Sequence, residues 1–176
     1  MNLLQTVLRG HSKAMCNQVV AYVGDNPGRF RDLVELFLKG PYRVTQRAAW
    51  PLSYSVKEHP QLIKPHLKRI VQFLKSGERS DSAKRNILRL LQFIEIPVSL
   101  QGAVSSACYG FLTSGKEPVA IRVFAMTVLG IIAKVQSDMQ KELCIIIEDQ
   151  LPYATPGFAS RARKVMRMLK ERTLHH

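Results

Sequence analysis

The chain has 176 residues, the length of one ordinary domain, which argues against a two-lobed enzyme with a cleft between its lobes. Hydrophobic residues make up 46 % and charged residues 22 %, close to globular averages, so neither a disordered tail nor a coiled coil fits. Lys and Arg number 26 against 13 Asp and Glu, and the net charge of +13 favours anionic partners while saying nothing about fold.

That charge is uneven. Residues 1–89 carry 16 basic and 6 acidic side chains, residues 90–160 carry 4 and 6, and residues 161–176 carry 6 and 1, so the middle is the neutral part. Cys16, Cys108 and Cys144 are odd in number and far apart, without a CxxC or Cys/His ligand spacing. A disulfide framework or zinc site is therefore not expected, and a reducing cytoplasm is the natural setting. The opening MNLLQTVLRGHSK has too short an apolar run before Arg9 for a signal-peptide core. The charge-free stretch Ile96–Gly115 contains Pro97, Gln101, Gly102, four serines and Thr113, which predicts a buried amphipathic helix and no membrane span.

Along the chain, Pro and Gly punctuate at 24–28, 39–41, 59–60, 76–81, 96–97, 114–118, 136–138 and 153–157. The segments between them show apolar spacings of three and four and no alternating strand runs, so every element is expected to be helical. Asp81 and Asp138 read as N-caps, and Pro60, Pro97, Pro118 and Pro156 sit near helix starts, where a missing N–H costs little.

Overlaying the segments exposes a period. The windows VTQRAAW (44–50), SAKRNIL (82–88), VAIRVFA (119–125) and SRARKVM (160–166) each place an arginine fourth, followed by apolar residues. These are Arg47, Arg85, Arg122 and Arg163, which recur at roughly the 40-residue length of a helix-pair repeat. A weaker copy, GHSKAMC, puts Lys13 in the column one period before Arg47. Two antiparallel helices of one such unit cannot bury their apolar faces alone, so stacked units share a core. The expectation is an all-α, right-handed solenoid of about four to five helix pairs in one domain over 1–176, with units near 1–25, 28–58, 60–95, 97–135 and 138–174.

EPVAIRVFAMTVLGIIA (117–133) resembles the second helix of a HEAT repeat, and PQLIKPHLKRIVQFLK (60–75) resembles a HEAT first helix with its mid-helix Pro. The resemblance spans nearly the whole chain and implies a helical-repeat scaffold. It also implies that the arginine column belongs to a ladder bonding neighbouring units, for which Arg85 and Arg122 are the candidates, with Arg85 mostly buried and Arg89 exposed. Two departures stand out: Pro51 interrupts the second helix of one unit, and the unit at 10–23 lacks the arginine.

Chemical motifs are few. GFLTSGKE (110–117) matches GxxxxGK of a phosphate loop, but a helix precedes it and Glu117 stands where the magnesium-binding hydroxyl belongs, so it reads as a turn. His59 and His66 stand one helix face apart without a third ligand nearby, and His175 and His176 are terminal. No paired-carboxylate or nucleophile constellation appears, so neither enzyme chemistry, a metal nor a small-molecule cofactor is expected. Met15, Met126, Met139, Met166 and Met168 read as core filling.

The polar sides of the second helices carry the functional signal. Arg43, Arg47, Trp50 and Tyr54 fall at i, i+4, i+7 and i+11, opposite Val44, Ala48, Leu52 and Val56. Arg85, Arg89 and Gln92 share one side of the next second helix, opposite Ala83, Ile87, Leu90, Leu91 and Ile94; Arg163, Arg167 and Lys170 do so in the last, opposite Ala162, Val165, Met166 and Leu169. Aromatic rings among arginines suit an acidic protein or peptide, steered electrostatically and docked around Trp50 and Tyr54. Nucleic acid is the alternative partner, since HEAT-like folds include alkylpurine DNA glycosylases. Those enzymes use a catalytic Asp with Trp residues, whereas this chain has one Trp and no Asp after it until Asp81, so no catalytic residue carries over.

Overall fold

A computed structural model describes residues 1–76 and 79–173; His175 and His176 lie outside them. All described elements are helical: α1 (Leu3–Arg9), α2 (Lys13–Val23), α3 (Pro27–Lys39), α4 (Tyr42–Glu58), a 3₁₀ segment (Pro60–His66), α5 (Leu67–Lys75), α6 (Asp81–Leu90), a 3₁₀ turn (Leu91–Phe93), α7 (Val98–Thr113), α8 (Val119–Ala133), α9 (Ser137–Gln150), a 3₁₀ turn (Leu151–Tyr153) and α10 (Pro156–Thr173). The all-α stack of helix pairs expected from the sequence is present. The chain divides into two compact units, Met1–Glu95 and Ile96–His176.

Short polar side chains start the helices. Asn2, Ser12, Asn26 and Ser80 each accept a hydrogen bond from the backbone N–H three residues on, satisfying one of the amides that a helix start leaves free. Ser80 is thus the cap of α6 and Asp81 its first residue; likewise Gln136 precedes α9 and Asp138 lies inside its first turn. Both aspartates face the positive end of the helix without capping it, a correction of one or two residues to the expected starts. Pro60 and Pro156 open their elements, while Pro97 and Pro118 directly precede theirs. Gly24, at φ 50°, ends α2 in a conformation that disfavours a side chain, and its N–H returns to the Val20 carbonyl at 2.9 Å.

In the first unit, α4 is the central helix, packed on α1, α2, α3 and α6. Its expected core side, Val44, Ala48, Leu52 and Val56, is buried, as are Phe30, Leu33 and Phe37 of α3 and Ala83, Ile87 and Leu90 of α6. Two expectations fail here. Pro51 does not interrupt α4: it is buried inside a helix that continues for two further turns, because packing on four neighbours holds the turns on both sides of the missing N–H. The segment 60–75 is not one helix with a mid-helix proline, since the residues through His66, including Pro65, form a 3₁₀ segment and the α-helix begins at Leu67. A buried polar pair joins α4 to α6: Ser53 Oγ lies 2.9 Å from the Trp50 carbonyl and 3.1 Å from Asn86 Oδ1, and Asn86 Nδ2 donates to the Ser82 carbonyl at 2.8 Å. Between the first helices, Glu35 of α3 pairs with Arg69 of α5 and with Lys39, which holds its carboxyl down at about 2, below the usual carboxylate range.

In the second unit, α8 packs on α7, α9 and α10. Val104, Cys108 and Leu112 of α7 meet a core that includes Ile121, Ala125 and Leu129 of α8 and Phe158, Ala162, Val165 and Leu169 of α10. The stretch 96–115 yields α7, and no helix among the described residues is long and apolar enough to cross a membrane. Cys16 and Cys108 are buried thiols and Cys144 is half-buried, none of them in a disulfide; burial pushes the Cys16 thiol up to about 11 and raises that of Cys108.

Candidate interaction face on the second helices

Stacking the units places α2, α4 and α6 side by side, since α4 packs on both α2 and α6. Positions one repeat length apart therefore become neighbours across helices. His11, in the link before α2, has its ring centroid 5.5 Å from that of Trp50 on α4, tilted by 52°. Trp50 meets Tyr54 edge to face at 6.2 Å, and the guanidinium of Arg89 on α6 lies 5.5 Å from the centre of the Tyr54 ring. The result is a ladder of rings, His11, Trp50, Tyr54 and then Arg89, crossing three consecutive units. Trp50 and Tyr54 are half-buried, so each ring is held by its neighbours and still presents area to solvent. Exposed cations flank the ladder at Lys13, Arg43 and Arg85, and exposed Glu58, one turn past Tyr54, marks its acidic limit.

Arg47 belongs to a different arrangement. It is half-buried and turns towards α1, donating to the Leu8 carbonyl at 2.6 Å and the Val7 carbonyl at 3.5 Å, where the end of that helix leaves carbonyls unsatisfied. Arg122 acts similarly in the second unit. Its Nε donates to the Leu112 carbonyl at 3.3 Å, an amino group donates to Gln150 Oε1 at 2.5 Å, and the guanidinium lies 4.9 Å from the Phe158 ring centre. One side chain of α8 thereby touches α7, α9 and α10.

Arg85 departs from the expected burial. It is exposed and Arg89 is the half-buried one, the reverse of the order expected. The reason is rotation: Ser82 and Asn86, one turn apart, point at α4, where Ser82 Oγ donates to the Gln46 carbonyl at 3.0 Å and Asn86 Oδ1 meets Ser53 Oγ at 3.1 Å, so position 85 lies about 60° from Ser82 and about 100° from Asn86, turned away from α4. Replacing Arg122 with alanine should lower the stability of the chain by about 1–3 kcal/mol, because Gln150 and the Leu112 carbonyl lose their donor in a half-buried setting. Replacing Arg85 should leave the unfolding midpoint unchanged; urea unfolding of the two variants reads both.

In α10, Arg163, Arg167 and Lys170 are exposed and line a shallow hollow with exposed Glu171 and with Met166, which is half-buried and at the edge of the core side. The arginine of α10 that reaches another helix is Arg161, two positions earlier, donating to Thr127 Oγ1 of α8 at 3.2 Å. Arg161 and His11 are the two residues that the sequence reading passed over. Each had a signal: Arg161 lies one turn before buried Val165, and His11 lies one repeat length before Trp50.

The segment 110–117 finishes α7 and turns into α8, so its GxxxxGK spacing is a helix-to-helix connection. Among the described residues no group of three or more His, Cys, Asp or Glu side chains is placed to hold a metal. His66 packs on the Phe30 ring at 5.8 Å, and its partial burial lowers its proton affinity. No curated protein and no solved structure matches the chain. A model of the HEAT repeat domain matches residues 3–169, and the chain belongs to that family.

Proposed function

We propose that the chain is a non-enzymatic helical-repeat scaffold, located in the cytoplasm, that binds an acidic protein or peptide along α2, α4 and α6. The observation that carries this reading is the ladder of His11, Trp50, Tyr54 and Arg89. Half-buried aromatic rings give an apolar anchor a rigid surface at low entropic cost, and Arg43, Arg85 and Arg89 around them supply partners for carboxylates. A short segment of Asp and Glu around one aromatic or leucine side chain satisfies both halves. The excess of 16 basic over 6 acidic residues in 1–89 adds long-range attraction that speeds encounter. In the second unit, Arg163, Arg167 and Lys170 offer a further acidic stretch a separate place to bind. Three cysteines far apart in the sequence, none of them in a disulfide, suit a reducing compartment.

Trp50 is the only tryptophan, so its emission reports on this face directly. Titrating the chain with an acidic peptide carrying a single leucine should change that emission. Raising salt from about 50 to about 500 mM should weaken the complex at least about ten-fold, as the screening length falls below the spacing of the exposed charges. An affinity independent of salt would exclude the electrostatic route, and the absence of any Trp50 response at saturation would place binding elsewhere.

A further inference from the structure

The first helices of the unit Met1–Glu95 carry a basic edge that the acidic-peptide reading does not use. Within 60–75, Leu62, Ile63, Leu67, Ile70, Val71 and Leu74 are buried, and Gln61, Lys64, Lys68, Gln72 and Lys75 are exposed between them. The five exposed residues follow one another at steps of three, four, four and three. Positions three apart eclipse in the 3₁₀ segment, and positions four and seven apart share a side of α5, so all five form one line. From Pro60 to Lys75 the sequence contains no Asp or Glu. Neighbouring Arg69 is paired with Glu35, but Lys64, Lys68 and Lys75 form no ion pair with any described residue. Among the described residues the line is thus a row of cations without acidic partners, about 17 Å long, since each helical step from Lys64 to Lys75 rises by about 1.5 Å or slightly more.

We infer that this edge binds the phosphodiester backbone of duplex nucleic acid without reading its sequence. Three anionic surfaces could face a row of lysines, and the composition of the row separates them. A protein partner needs an aromatic or aliphatic anchor at the centre of the contact, and the row has none. An anionic membrane is held by apolar side chains sunk at the acyl boundary, but the large aliphatic residues of 60–75 are buried, and Phe73 is half-buried under the Arg79 guanidinium at 3.9 Å. Lysines interspersed with glutamines, with no acid, are the side chains that position a protein on phosphate oxygens. A duplex supplies about one negative charge per 1.7 Å of its axis, so every ammonium of the row finds a phosphate whatever the register. This inference is independent of the ladder at Trp50, which lies on the second helices.

The test uses the full chain and a fluorescein-labelled duplex of about 20 base pairs of random sequence, with anisotropy read between about 50 and about 200 mM KCl. The chain should bind in the micromolar range at the lower salt, with log affinity falling linearly against log salt. The variant K64Q/K68Q/K75Q should bind at least about ten-fold more weakly, with a slope shallower by about 2–3, one lost counterion contact per lysine. The equally charged control K116Q/K134Q/K141Q, altered at exposed lysines of the second unit, should keep the parent slope. Lys68→Glu alone should weaken binding several-fold, which gives a reading from a single exposed site even if the triple variant proved less stable. The inference is overturned by the absence of duplex binding at about 50 mM KCl, by a triple variant with the parent slope, by a control that loses as much as the triple variant, or by capture on phosphatidylserine vesicles without capture of the duplex.

Discussion

Replacing Trp50 with alanine is expected to weaken the acidic-peptide complex by about 30- to 1,000-fold, the effect of removing a central aromatic anchor worth about 2–4 kcal/mol. The expectation follows from where the ring stands. Trp50 is contacted by His11 on one side and Tyr54 on the other, so its loss removes the largest aromatic surface of the ladder and frees both neighbours to reorient. Trp50→Phe keeps an aromatic face at the same place and should cost no more than about ten-fold. Because Trp50 is half-buried, the alanine variant should also melt earlier, by less than a core truncation, and the binding comparison therefore belongs well below the melting temperature. Anisotropy of a labelled peptide measures all three proteins on one scale. A Trp50→Ala variant that binds like the parent would remove the ladder from the interface and leave only the surrounding charge.

The parts of this architecture that the sequence makes legible are those written in local chemistry. Prolines at 27, 60, 97, 118 and 156, with Asn and Ser caps, punctuate the helices, and the spacing of buried residues such as Val44, Ala48, Leu52 and Val56 assigns the inward side of each. The roles of the arginines are not local. Arg85 and Arg122 occupy the same place in their sequence windows, yet a difference of one residue in how each helix turns its core side, about 100°, sends one to solvent and the other onto three helices. In α10 the inward arginine is Arg161, two positions before the window arginine Arg163. His11 was hidden for another reason: a histidine beside no acid or cysteine has no metal partner to suggest, and its use as a ring appears only when the repeat brings it against Trp50. Pro51 reads as an interruption because helix rules are local, whereas α4 has four packed neighbours that keep it continuous.

Gly130→Leu is expected to destabilise the second unit by about 3 kcal/mol, the upper part of the range for overpacking a filled core. Gly130 is buried in α8 where that helix crosses α10, and a Cβ built there would lie 2.8 Å from Val165 Cγ1 and 2.9 Å from Met168 Cε. The methionine end can swing aside. Val165 cannot, because a β-branched side chain in a helix has one favoured rotamer, so α10 itself must move outward. Alanine at position 130 sets two effects against each other: a gain of about 1 kcal/mol in helix propensity and a steric loss of about 1–3 kcal/mol. The loss should prevail, leaving Gly130→Ala modestly less stable than the parent. Val165→Ala removes the atom that a Cβ would strike, so the double variant should be more stable than the sum of its single changes predicts, by about 1 kcal/mol of favourable coupling. Strictly additive effects in urea unfolding would mean that the two helices do not meet at this point. The crossing also carries the stripe of Arg163, Arg167 and Lys170 on the outer side of α10. Any loss of acidic-peptide binding by Gly130→Leu that Val165→Ala restores would therefore show that the stripe works only when α10 is seated on α8.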